Sequence, residues 1–97
     1  MEQNVVFLDT VSEFIQRLSS VDQAKIAANV TMLRNGDFAS VRVKQLDGPI
    51  YELIVKQYRL TFFRKVAMIY MVGAFRKKSA KTPLREIEHA MDIFKNI

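Results

Sequence analysis

The chain has no cysteine and no tryptophan, one histidine, two prolines and three glycines among its 97 residues. Without cysteine there is no disulfide framework, no thiolate metal site and no thiol nucleophile, so the fold must be held by its core. A single histidine with no cysteine beside it also argues against zinc, and no metal or other cofactor is expected. The scarcity of glycine and proline, with no Gly/Ser-rich or Pro-rich stretch, argues against internal linkers and disorder. No glycine-rich phosphate loop, serine triad or dinucleotide fingerprint occurs. The longest apolar run, Val66 to Ala74, is too short to span a bilayer, and Met1-Glu2-Gln3-Asn4 lacks the basic-then-apolar pattern of a leader. The expectation is a soluble cytoplasmic protein with no membrane partner, folded as one domain over residues 1–97, without internal repeats.

Acidic residues are also missing from one long stretch. Residues 1–40 hold three bases, Arg17, Lys25 and Arg34, against five acids, a balance of −2, so residues 41–97 carry +7 and the chain a net +5. Between Lys56 and Lys81 stand eight bases (Lys56, Arg59, Arg64, Lys65, Arg76, Lys77, Lys78 and Lys81) and no acid. A field of this kind attracts polyanions, nucleic acid foremost. A merely solvated basic surface is the plain alternative.

Hydrophobic spacing gives the elements. Val5 to Leu8 read as a first strand, and Thr10 opens a helix with Glu13 at capping-box spacing. Val11, Phe14, Ile15 and Leu18 form its buried face. Ser19-Ser20 breaks that helix and caps a second, marked by Ile26, Val30 and Leu33, which Asn35-Gly36 ends as a left-handed cap. From Ser40 the period becomes two: Val41 and Val43 alternate with Arg42 and Lys44, and the Asp47-Gly48 turn leads into Ile50 to Lys56. Runs at Arg59 to Phe63 and Ala67 to Phe75 complete an antiparallel meander. Thr82-Pro83 then starts a last helix, with threonine as cap and Leu84, Ile87, Met91 and Phe94 on its inner face. The fold class is α+β: an antiparallel sheet of about four to five strands, two N-terminal helices and a C-terminal helix.

Alternation within the strands places the polar side chains. With Leu53, Val55, Leu60 and Phe62 turned toward the helices, Glu52, Ile54 and Lys56 face the other way, together with Arg59, Thr61 and Phe63. Arg59 and Lys56 should therefore share an open face, with Phe75-Arg76-Lys77-Lys78 beside it. Aromatics interleave with the bases, and Phe63, by parity, is a candidate for stacking on nucleobases. His89 lies off the apolar stripe of its helix, beside Glu88, and reads as solvent-facing rather than catalytic. Glu52, the one acid on the open face, fits either a general base or an ion pair with Lys56 or Arg59.

Three motifs then carry a resemblance: Lys44-x-Leu46-x-Gly48-x-Ile50-Tyr51-Glu52-Leu53, Tyr58-Arg59-Leu60, and Phe75-x-Lys77-Lys78-Ser79-x-Lys81-Thr82-Pro83-x-x-Glu86-Ile87-x-x-Ala90. In this order they resemble the phage-derived, HigB-like branch of the RelE/ParE superfamily of toxins. The resemblance implies a RelE-like microbial RNase fold, a helix-turn-helix antitoxin as partner, and ribosome-dependent endoribonuclease action on messenger RNA, an mRNA interferase that inhibits translation. Ile54 departs from the pattern, since the family often has a basic residue two positions after the motif's glutamate. That departure keeps open a different activity on the same fold, a ParE-like inhibitor of DNA gyrase that cuts nothing.

Cleavage of RNA by its own 2′-hydroxyl needs a base for that proton, positive charge on the developing phosphorane and an acid for the leaving 5′-oxygen. Arg59 suits the charge-stabilising role, because its forked donors match phosphate oxygens. Lys77, Lys78 and Lys56 are the candidates for acid or base, with the assignment open among them. Lys44, Arg76 and Lys81 are expected to hold the RNA backbone, with Phe63 and Phe75 as stacking groups. An antitoxin segment that is acidic or mixed in charge is expected to lie across the same face.

Overall fold

The computed structural model describes residues 3–97; Met1 and Glu2, which open the stretch read for a leader, lie outside the described residues. Strand β1 (Asn4–Phe7) leads into helices α1 (Asp9–Gln16) and α2 (Ser20–Arg34). A short 3-10 turn at Phe38–Ser40 follows, and then β2 (Arg42–Asp47), β3 (Ile50–Val55), β4 (Tyr58–Lys65), β5 (Met68–Arg76) and helix α3 (Leu84–Asn96). The five strands form one sheet in the order β1-β5-β4-β3-β2. The expected meander is present from β2 to β5. The sheet is mixed, however, because β1 joins β5 in parallel. The two helices carry the chain from β1 at one edge to β2 at the other, so the returning meander meets β1 running in its own direction.

The sheet has two covered faces. On one, Leu53, Val55, Leu60, Phe62, Ile69 and Met71 pack with Val11, Leu18, Ile26, Val30 and Leu33 of the two N-terminal helices. On the other, α3 lays Ala90 against Ile50, Phe63 and Val72, with Met91 and Phe94 beside them. The strand alternation expected for Leu53, Val55, Leu60 and Phe62 is the one observed. Ala90, fully buried, lets α3 approach closely, whereas Leu84 is 68 % exposed and leaves the expected inner stripe. The far end of α3 is tied down by Lys65, whose Nζ donates to the carbonyls of Phe94, at 2.8 Å, and Ile97. A cation at a helix C-terminus also meets the favourable end of the helix dipole.

Two expected caps differ. Helix α1 starts at Asp9 with Leu8, not Thr10, at the cap position, and no side chain caps it. Leu8 donates its backbone N–H to Met71 O at 3.1 Å, so the β1–β5 ladder fixes where the helix begins. Helix α3 starts after Pro83, and Thr82 makes no cap; its hydroxyl is used by a carboxylate described below. Ser19 does cap α2, accepting from Asp22 N at 3.2 Å. Gly36, at φ +80°, supplies the left-handed end of that helix.

Asp22, in the first turn of α2, links that helix to the β3–β4 turn. Lys56 Nζ lies 2.6 Å from its Oδ1, the Tyr58 hydroxyl donates to its Oδ2 at 2.6 Å, and Arg76 stacks over the Tyr58 ring at 5.2 Å. The hydrogen bonds from Lys56 and Tyr58 hold the Asp22 carboxyl below the ordinary carboxylate range, and the bond to Asp22 pushes the Tyr58 hydroxyl up. A lowered carboxyl stabilises the fold above its unfolded value, and that contribution disappears as pH falls through the folded value. A raised phenol contributes fully below its unfolded value and is lost as pH rises through the folded one. Asp22→Asn should therefore lower the Tm at neutral pH, and the deficit should shrink below about pH 4. Above about pH 10 the wild type should lose stability as Tyr58 ionises. Thermal melts across this range check both limbs, and an acid-side deficit as large as the neutral one would contradict the assignment.

Candidate functional site

Helix α3 covers only part of its sheet face, and the remainder is where the polar side chains gather. Two cross-strand rows run over it. In one, Arg42, Ile54, Arg59 and Phe75 stand opposite one another on β2, β3, β4 and β5; in the next, Lys44, Glu52, Thr61 and Gly73 do so. Thr61 is fully buried and fills the space beside Gly73, where any Cβ would collide with its hydroxyl. The chain leaving β5 folds back over this surface. Together they enclose an open depression of about 240 Å³ bordered by Arg42, Lys44, Arg59, Lys77 and Lys81, with Glu52, Ile54 and Thr82 in its lining.

Arg59 is fixed from several sides. Its Nη1 donates to the carbonyls of Lys56 and Tyr58, each at 2.9 Å, and its Nε lies 3.6 Å from Glu52 Oε1. Nη2 has neither a hydrogen bond nor an ion pair among the described residues, so it is the guanidinium nitrogen left open to a ligand. Glu52 is only 3 % exposed, and its second oxygen accepts from the Thr82 hydroxyl. Of the two readings for Glu52, the geometry shows the ion pair, with Arg59 and not with Lys56. A charge-assisted bond from Thr82 to a buried carboxylate is stronger than a bond to a helix-end amide, which is why threonine leaves the cap. The basic segment is thereby clipped at both ends, by Thr82 on Glu52 and by Lys77 N, which donates to Gln57 O at 2.7 Å.

The eight-base field divides between two tasks. Four of its members serve the fold: Lys56 on Asp22, Arg64 over the Phe38 ring at 4.5 Å, Lys65 at the end of α3, and Arg76 on Tyr58. Lys56 does not share the open face with Arg59. Strand β3 ends at Val55, and Lys56 adopts a left-handed turn, φ +55°, that sends its side chain to the α2 side. Arg76 pairs with Tyr58 across β4–β5 and so faces the α2 side as well. Lys77 and Lys81 border the Arg59 depression, while Lys78 lines a neighbouring one with Phe75, Arg85 and Glu86. Phe75 is half-buried directly opposite Arg59. Phe63 has the expected parity but is fully buried beneath α3, stacked on Tyr70 at 5.2 Å and edge-on to Phe94 at 5.1 Å, and so offers no surface to a base. His89 is exposed, as expected.

Arg42 belongs to the site although the sequence reading did not select it. Its signal was available: it alternates with Val41 and Val43 as Lys44 does, and it pairs directly with Ile54. A cation therefore reaches the depression next to the position where the family motif often has one. Among the described residues no group of His, Asp and Glu side chains could hold a metal ion, and no helix is long and apolar enough to cross a membrane.

Comparison with known proteins agrees with this fold. The family described as "Phage derived protein Gp49-like" matches residues 13–95. A chain of the crystal structure of the RelB-RelE antitoxin-toxin complex from Methanococcus jannaschii has a similar fold. It is 14 % identical, the match covers 92 % of this chain and 98 % of that one, and the TM-score is 0.63. At that identity the likeness is one of fold. No curated protein sequence matches the chain.

The buried pair generates a stability prediction. Glu52→Ala leaves the Arg59 guanidinium nearly enclosed without its counter-charge and should cost about 3 kcal/mol or more in urea unfolding. In an Arg59→Met background the same substitution should cost less, with a coupling of roughly 0.5–3 kcal/mol. Equal losses in the two backgrounds would show that the carboxylate and the guanidinium do not support each other.

Proposed function

The chain belongs to the phage-derived Gp49-like family and has a RelE-like fold, and on that premise we propose that it is the toxin of a type II toxin–antitoxin pair, cutting messenger RNA held in the ribosome. The observation that carries this reading is the convergence of Arg42, Lys44, Arg59, Lys77 and Lys81 on one depression, with Arg59 anchored by a buried carboxylate. The depression is smaller than the roughly 300–1,000 Å³ of small-molecule pockets. Its open, cationic form suits a polymer lying across it rather than a metabolite enclosed within it.

In the proposed reaction the 2′-hydroxyl of one nucleotide attacks the adjacent phosphorus, the bond to the 5′-oxygen breaks, and a cyclic phosphate and a free 5′-hydroxyl result. A proton leaves the attacking hydroxyl and another reaches the departing oxygen. Arg59 Nη2 supplies charge to the phosphorane, and fixing the rest of the guanidinium in advance spares that cost during reaction. Lys77 and Lys81, bordering the same depression, are better placed for proton transfer than Lys78, and Lys56 is placed for none. Lys44 and Arg42 hold the flanking phosphates. Phe75, beside Arg59, is the remaining stacking candidate. A helix-turn-helix antitoxin would silence the protein by laying acidic residues over these cations. The similar chain from Methanococcus jannaschii comes from an antitoxin-toxin complex, which supports an antitoxin partner.

The gyrase-inhibitor alternative drew its support from Ile54. Arg42, opposite Ile54, restores a cation to the depression, and this favours cutting.

Arg59→Ala should slow cleavage of messenger RNA on programmed ribosomes by roughly a hundredfold or more, the scale of losing a transition-state donor. Arg59→Lys should recover only part, since an ammonium can neither keep both turn carbonyls and Glu52 nor reach the phosphate as well. Circular dichroism checks that each variant is folded. Full growth arrest by a soluble, folded Arg59→Ala protein would exclude the role.

A further inference from the structure

Arg59 works from one face of the sheet, but two of the groups that fix it, carbonyls of the β3–β4 turn, belong to residues held from the other. The two carbonyls that receive Nη1 belong to Lys56 and Tyr58. Those same two residues send their side chains through to the opposite face, where Lys56 Nζ and the Tyr58 hydroxyl each lie 2.6 Å from a different oxygen of Asp22. We propose that Asp22 is a positioning residue for Arg59, acting across the sheet by holding the β3–β4 turn in the conformation that presents its carbonyls to the guanidinium. This rests on the reading in which Arg59 clamps the scissile phosphate.

Three features make the coupling more than a surface ion pair. Lys56 occupies a left-handed backbone region, φ +55°, that L residues other than asparagine, aspartate and histidine seldom enter, so its conformation needs support from outside the turn. Asp22 supplies that support from a fixed place, because its own backbone N–H is held by the Ser19 cap of α2 at 3.2 Å. The Tyr58 ring through which the second contact passes is 2 % exposed and has Phe14 edge-on at 6.0 Å, so it has little freedom to move independently of its carbonyl. Helix α2, by contrast, has Ile26, Val30 and Leu33 in the core and does not need Asp22 in order to dock.

The test combines a rate with a direct view of the guanidinium. Asp22→Asn, assayed well below its Tm, should slow single-turnover cleavage on programmed ribosomes by about tenfold, part of the hundredfold that misplacing a catalytic group costs. Binding to those ribosomes should be unchanged. Tyr58→Phe, which removes one of the two contacts, should fall between Asp22→Asn and wild type. In an Arg59→Ala background Asp22→Asn should slow cleavage no further, whereas general loosening of the fold would act in both backgrounds. In NMR spectra the Arg59 Nε–Hε signal, sharp in the wild type, should broaden and exchange faster in Asp22→Asn, while amides of α3 and the core strands stay in place. An unmoved Arg59 signal, or an equal slowing with and without Arg59, would overturn the proposal. If Arg59→Ala itself cut at the wild-type rate, the phosphate-clamp reading would fail, and the NMR signal alone would still decide whether Asp22 positions Arg59.

Discussion

A buried carboxylate facing a nearly buried guanidinium organises the uncovered half of the sheet. Glu52 and Arg59 sit on adjacent strands, in neighbouring cross-strand rows, and each would be expensive to desolvate alone. Their pairing offsets that cost, and the spare oxygen of Glu52 recruits Thr82. Through that contact the basic segment between β5 and α3 is drawn over the sheet instead of extending into solvent. The placement of Lys81 and the start of α3 follow from this pair, and the backbone bond from Lys77 to Gln57 completes the depression.

A second consequence concerns how the charge is used. A strongly basic stretch looks uniform in sequence, yet half of its cations are spent internally, on Asp22, Phe38, Tyr58 and the end of α3. Arg59, Lys77 and Lys81 of the stretch instead gather around the depression, joined there by two residues from β2, Arg42 and Lys44. Concentrating the unspent charge in one concave place raises the local potential more than spreading it would.

Much of this was legible beforehand, for physical reasons. Alternation in a sheet is rigid, so the inward set Leu53, Val55, Leu60 and Phe62 and the outward set Glu52, Arg59 and Thr61 could be assigned from parity alone. Parity does not say what covers a face: Phe63 points outward and is still buried, because α3 docks over it. Nor does it survive the end of a strand, and Lys56 left its expected face at a left-handed turn. Two of the expected caps failed for a related reason. Thr10 and Thr82 have the right chemistry, but a parallel ladder at Leu8 and a buried carboxylate at Glu52 made stronger demands on the same residues. Direction within the sheet was also hidden, since β1 pairs with a strand more than sixty residues away.

The central claim, that this basic depression cuts translated messages, is tested most directly by primer extension on cellular messenger RNA after brief expression of the protein alone. The account predicts new 5′ ends confined to translated regions and absent when translation initiation is blocked beforehand. Intact messages accompanied by relaxed or broken chromosomes would contradict it and would select the gyrase inhibitor.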